Sequence, residues 1–418
     1  MKAGGMTPPE HLTIRSPEDV LGFIPHSLGY WPSASLVAMT LQGKRLGATL
    51  RLDLPGPDVL AQPAAFARTV CTYLEADRNA DGSLLALFTN NGWLAGPDRY
   101  GSLLGGLQWA LAGAGMPVRD AWYVGSEYWR DALCADPACC PFPGRPVQEI
   151  RDSTLNAEMV YRGSSVGPAP QEQAAAVLPG SSLHFAAVRE AEEAWLAQLD
   201  LRRGSRPQFD AVLEVWAALL NRPPGEPWLP EAERDGFLRA TLLVPRWRDA
   251  VLMMAAAGRA AAEAGAAQFA IFRDECRLEP VAPPAGASGA GPGREAAAPG
   301  GTPNSRATET GVPRYGDVLM GIQPAAPDWE RLDALDLIFQ QLAPSGGKAA
   351  AASLTGRGWI AWCRGRGSFS AAYLAQALDL EPGYRLAELL LELVHRGTVC
   401  GWAARKEAAW QKFGPDAA

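Results

Sequence analysis

Residues 35–54 read SLVAMTLQGKRLGATLRLDL, and this stretch decides the fold of the first part of the chain. Segments 35–41 and 46–54 are β-type runs, and Gln42-Gly43-Lys44-Arg45 between them suits a hairpin turn. Pro55-Gly56-Pro57 then stops the second strand. Apolar positions Val59, Leu60, Phe66, Val70 and Leu74 recur at helical spacing, which predicts one helix over 58–77. Asp81-Gly82 is a turn, and 84–89 is a short apolar strand. Tyr100, Leu103, Leu104, Leu107 and Leu111 mark a further helix closed by Gly113 and Gly115, and a fourth strand begins at Ala121. Strand and helix alternate after the opening hairpin. The reading is an α/β domain over 1–150, a mixed sheet with helices packed on it.

Beyond about Ser153 the periodicity is helical throughout. Phe209, Val212, Val215, Trp216, Leu219 and Leu220 form one apolar stripe. The apolar stretch 250–272 is interrupted by Arg259 and Glu263, so it reads as a buried amphipathic helix rather than a membrane span. Residues 280–312 are dominated by Ala, Gly and Pro without periodicity, a composition that predicts a disordered linker. The second part is therefore all-α: a helical region over 151–279, the linker over 280–312, and a C-terminal helical region over 313–418. Segment 375–384 (AQALDLEPGY) is similar to the end of a tetratricopeptide unit, but a single unit cannot build a solenoid, and a helical hairpin is the simpler expectation.

With 418 residues, 48% hydrophobic, the chain can bury a sizeable core. A formal net charge of -7 and the lack of any Lys/Arg run beyond Arg364-Gly365-Arg366 argue against a nucleic-acid or anionic-membrane surface. The opening MKAGGMTPPEHL has no apolar core of a secretory signal, and the cysteine count of seven is odd. Reduced thiols in a cytoplasmic protein are the expectation.

Common catalytic signatures are mostly missing. Ser345-Gly346-Gly347-Lys348 lacks the first Gly of a phosphate loop, and Ala349 stands where a metal-binding hydroxyl belongs. Gly289, Gly291 and Gly293 follow no strand, and there is no His-Glu-x-x-His pattern. With four His, imidazole chemistry has few places to occur.

Three features carry candidate chemistry. Arg51 and Asp53 share one strand face, opposite Leu50, Leu52 and Leu54. The pair can either orient a carboxylate or phosphate ligand or form an internal ion pair that fixes the hairpin. Segment 25–35 (PHSLGYWPSAS) reads as a rigid loop forming a pocket wall in which His26 or Ser35 acts, or as a turn whose aromatics plug the core. Cys134, Cys139 and Cys140 lie within seven residues and admit three readings: a metal site, with zinc the first choice, a redox site, or a structural turn. Asp136, Cys71 and His26 are the candidates for a fourth ligand.

These segments also carry a likeness. Ser16-Pro17-Glu18-Asp19-Val20-Leu21, Leu28-Gly29-Tyr30-Trp31-Pro32, Leu50-Arg51-Leu52-Asp53-Leu54-Pro55 and Leu133-Cys134-Ala135-Asp136-Pro137-Ala138-Cys139-Cys140-Pro141 with Gly144 resemble the actinobacterial domain-of-unknown-function family 4192. Arg248-Asp249-Ala250 and the tail from Trp359 through Pro382-Gly383-Tyr384-Arg385-Leu386-Ala387 fit the same pattern. The chain departs from it in its long linker and in Trp129-Arg130-Asp131-Ala132 before the first thiol. The resemblance implies an intracellular protein and brings no catalytic residue or cofactor with it. Two functional classes stay open. One is a small-ligand or protein-binding module whose C-terminal helices meet a protein partner. The other is an enzyme acting on a small anionic substrate in a pocket near the hairpin.

Overall fold

The computed structural model describes residues 14–90, 99–134, 136–176, 181–223, 225–269, 272, 278–284 and 312–411. By its internal contacts the chain divides into two units, the first ending at Ala169 and the second spanning Pro170–Gln411.

The first unit is built on the expected hairpin. Strands β1 (Ser35–Gln42) and β2 (Arg45–Asp53) pair antiparallel with Val37 opposite Arg51. The strands run one residue further into the turn than the apolar pattern suggests, leaving Gly43-Lys44 at the tip. Gly43 has φ 63°, the left-handed conformation that a tight hairpin turn needs. Strands β3 (Gly82–Phe88), β4 (Val118–Val124), β5 (Tyr128–Asp131) and β6 (Arg145–Pro146) complete a sheet of order β2-β1-β3-β4-β5-β6. Only the β3–β4 pair is parallel, so the sheet is mixed. Helices cover both faces. Leu36, Leu85, Leu87 and Tyr123 pack against α3 (Ala64–Leu74) and α4 (Gly101–Gly113). Val37, Ala86, Phe88 and Trp122 pack on the other face against α1 (Pro17–Leu28) and α5 (Gln148–Arg151). Strand β3 is buried on both faces, which is why it reads as an unbroken apolar run. Helix α6 (Thr154–Tyr161) packs on α1, and Leu155 N–H donates to Asp19 Oδ1 at 3.2 Å.

Two local expectations are corrected. The single helix over 58–77 is two, α2 (Pro57–Ala61) and α3, parted at Gln62-Pro63. The proline ring pushes the preceding residue out of helical conformation, and Gln62 has φ -137° and ψ 69°. Segment 25–28, expected in a loop, is the last turn of α1, which ends on Gly29 at φ 88°. Burial of Val20, Leu21 and Ile24 outweighs the one hydrogen bond that Pro25 removes.

The second unit is helical: α7 (Pro170–Ala175), α8 (Ser182–Asp200), α9 (Arg206–Leu220), α10 (Ala232–Leu242), α11 (Pro245–Ala257), α12 (Arg259–Gln268), α13 (Tyr315–Leu319), α14 (Trp329–Leu342), α15 (Gly347–Cys363), α16 (Gly367–Leu380) and α17 (Arg385–His395). The apolar stretch from residue 250 is not one helix. Gly258, at φ 85°, turns the chain between α11 and α12. Among the described residues no helix is long and apolar enough to cross a membrane.

Boundaries at 150 and at the linker, read from composition, fall differently in these contacts. Helices α5 and α6 belong with the sheet, because they cover α1. Helices on either side of 280–312 share one core. Trp216 meets Phe339 edge-on at 6.2 Å, and Asp328 N–H donates to the Ala256 carbonyl at 3.1 Å. Most of the expected linker, 285–311, lies outside the described residues. A single cut within 285–311 is therefore expected to leave the two pieces of the helical unit co-eluting on gel filtration. Separation without denaturant would contradict the shared core.

Candidate functional site

Strand register gathers the first candidates along one edge of the sheet. Asp53 at the end of β2 pairs with Ser35 at the start of β1, and Ser35 pairs with Phe88 at the end of β3. This is the edge where the parallel strands β3 and β4 present their carboxyl ends, the side on which open α/β sheets bind ligands. Arg51 Nε donates to Ser35 Oγ at 2.8 Å, Ser35 Oγ donates to the Ser33 carbonyl at 2.6 Å, and Arg51 Nη2 lies 2.7 Å from Asp53 Oδ1. Arg51 and Ser35 are thus brought together, with Asp53 largely in water (82% exposed). An ion pair with one partner so exposed contributes little by itself. Beside them Thr89 and Tyr100 share a hydroxyl hydrogen bond of 3.2 Å, and Ser126 N–H donates to Asn90 Oδ1.

His26 is bonded elsewhere. Its ring lies buried between α1 and α6, with Nδ1 2.9 Å from Ser164 Oγ and Nε2 2.8 Å from Asn156 Oδ1. Serine, imidazole and amide in a row have the connectivity of a hydrolytic relay. But Ser164 is itself buried, and both ring nitrogens are occupied, so the row ties the two helices together. Gly163-Ser164-Ser165-Val166-Gly167 has the Gly-x-Ser-x-Gly spacing of hydrolase elbows, but it puts Ser165, not the His-bonded Ser164, in the nucleophile position. It follows helix α6, whereas an elbow follows a strand. Neither partner of His26 was visible from sequence, since they lie 130 and 138 residues away.

The thiols do converge. The structure places them between β5 and β6. Asp131 Oδ1, at the end of β5, accepts the N–H groups of Leu133 (2.6 Å) and Cys134 (2.9 Å), which bends the chain out of the sheet. Asp136 then closes a second turn. Its Oδ1 accepts from Ala138 N–H at 2.8 Å, and its carbonyl accepts from Cys139 and Cys140 N–H at 3.2 and 2.8 Å. The chain returns through Gly144 at φ 119°. A Cβ there would strike the Trp129 carbonyl, so only glycine lets β6 pair back on β5.

This double turn sets the Sγ atoms of Cys134, Cys139 and Cys140 within 4.8 Å of one another. On an extended chain adjacent cysteines would point apart. The Cys140 thiol is pushed up to about 12, first by its hydrogen bond with Cys134, then by burial and by Cys139. Three thiols so close resist joint ionisation unless a cation joins them. In a tetrahedron with Zn–S bonds of ~2.3 Å the sulfurs stand ~3.8 Å apart, so closure asks for movements of ~1 Å or less. A thiophilic ion fits this donor set.

No described His, Cys, Asp or Glu supplies a fourth ligand within this cluster. Asp136 spends Oδ1 on its own turn, and His26 is engaged with Ser164 and Asn156. Cys71 is buried under α4, its Sγ 3.6 Å from the Ala110 carbonyl. An ion held here would keep one open position, as catalytic and exchangeable sites do. All six described cysteines are free thiols.

Neither among curated proteins nor among solved structures is there a match to this chain. A family match exists and spans both units: the description is "Domain of unknown function (DUF4192)", and the matched residues are 17–285 and 325–399. It takes in the hairpin, the thiol turn and most of the helices, so the chain belongs to the DUF4192 family.

Proposed function

We propose that this protein is a binding protein whose α/β unit carries a thiophilic divalent ion, zinc in the first instance, on Cys134, Cys139 and Cys140. The convergence of the three Sγ atoms within 4.8 Å carries this reading. The open fourth position takes water, a donor atom of a small ligand, or a side chain of a protein partner. A reducing compartment, the cytoplasm, goes with it, because only unoxidised thiols hold the metal. The enzyme reading near the hairpin has less support, since the Arg51 guanidinium is already engaged by Ser35 and Asp53.

Protein purified under reducing conditions should contain about one equivalent of zinc per chain. Cys139→Ser removes an exposed ligand without touching the core, so metal content should fall well below half an equivalent at unchanged helix content. Metal-free protein whose three thiols all react freely with a maleimide would defeat the proposal.

A further inference from the structure

A cavity of about 250 Å³ lies in the helical unit, between α11, α12 and α13. Met253, Ala262, Ala266 and Phe269 give it apolar walls. Phe269 stands edge-on to Tyr315, with ring centroids 5.7 Å apart. The small residues of α12 keep the space open: a Cβ added at Gly265 would meet nothing nearer than Tyr315 Cβ at 3.9 Å.

One wall is polar and already neutralised. Asp249 Oδ1 accepts from Arg248 Nε at 2.8 Å and from Arg248 Nη2 at 2.6 Å, and Arg248 Nη1 reaches the Tyr384 hydroxyl. Tyr315 hydrogen-bonds Asp249 from the cavity side, and burial holds its phenol above the ordinary range, so it stays neutral and donates. The remaining charge on the lining is Arg246. It is exposed and makes no ion pair with any described residue. The cavity therefore has apolar walls from α11 and α12, is bounded on one side by a balanced Arg–Asp pair, and carries one surplus positive charge.

We propose that this cavity binds a small organic monoanion, a carboxylate carried on a compact apolar ring or branched chain, with the carboxylate on Arg246 and the apolar body between Met253, Ala266 and Phe269. Size supports a ligand of that class. A cavity of about 150 Å³ accepts a benzene ring, and roughly 100 Å³ more suits a short acidic arm. An Arg fork at the mouth of an apolar pocket discriminates by charge as well as shape.

Calorimetry on the full chain tests this with three probes of one size: phenylacetate, its neutral amide, and the cation phenethylamine. Phenylacetate should bind, the amide about tenfold more weakly, and the amine not measurably. Arg246→Gln, on the surface, should erase the preference of acid over amide. Ala266→Leu should fill the space and remove binding of both while the thermal midpoint holds or rises. Cys139→Ser should leave phenylacetate binding unchanged, which separates this site from the metal centre. The proposal is overturned if phenylacetate gives no heat, if the amine binds better than the acid, or if neither Arg246→Gln nor Ala266→Leu alters binding.

Discussion

Arg239→Met is expected to destabilise the helical unit by about 3–5 kcal/mol, the cost of orphaning a buried charge. Arg239 sits on α10 with 0% of its side chain exposed. Its Nε donates to Glu192 Oε2 on α8 at 2.7 Å, and its two terminal nitrogens donate to the carbonyls of Leu342, at the end of α14, and Gly346, just before α15. Burial pulls the guanidinium below its ordinary range, and Glu192 opposes that pull. The residue ties α10 to α8 and to the turn that joins α14 to α15. Methionine fills much of the volume but donates nothing. It leaves the Glu192 carboxylate, only 12% exposed, without its cation, and takes one donor from each of two carbonyls. Arg239→Met with Glu192→Leu should recover only part of the loss, because the bonds from the guanidinium to the Leu342 and Gly346 carbonyls, each worth about 1.5–3 kcal/mol, stay lost. Urea melts of the single and double variants measure this. Full recovery in the double variant would show that the carbonyls find water and that the arginine serves Glu192 alone.

Arg239 also shows where sequence reading stops. The hairpin, the buried strand β3 and helix α4 are legible because each is written in a local period of two or 3.6 residues. The thiols are legible because they lie within seven residues, although their convergence depends on the turns set by Asp131 and Asp136. The bonds that shape the rest are long-range. His26 meets Asn156 and Ser164 across more than a hundred residues, and Arg239 meets Leu342 and Gly346 at separations of 103 and 107. No periodicity encodes such pairs. The cavity is hidden for a related reason. Tyr315 lies beyond the Ala/Gly/Pro segment from Asp249 and Phe269, and composition draws a boundary where the packing has none. Proline misled in both directions. Pro63 breaks a helix whose apolar spacing runs straight through it, while Pro25 sits inside one because its missing N–H costs less than unburying Ile24.

Gly236→Ala should cost about 2 kcal/mol or more, against the gain of about 1 kcal/mol that alanine brings to an exposed helix interior. Gly236 lies in the middle of α10 where that helix presses on α8. A Cβ at this position would stand 2.8 Å from the backbone nitrogen of Glu192 and against the Cβ of Ala191. A side chain could rotate away, but a backbone amide inside α8 cannot, so the helices must part and overpacking prevails. Ala191→Gly should rescue the variant only partly, since it removes the Cβ contact and leaves the amide. Moving α8 also moves Glu192, the carboxylate that Arg239 requires. The two costs are therefore not independent. Gly236→Ala combined with Arg239→Met should be less destabilised than the sum of the single variants, because the first change already loosens the bond that the second deletes. Denaturant melts of the cycle read the coupling directly. Additivity within about 0.5 kcal/mol would mean that α8 holds its place and that the strain is absorbed elsewhere.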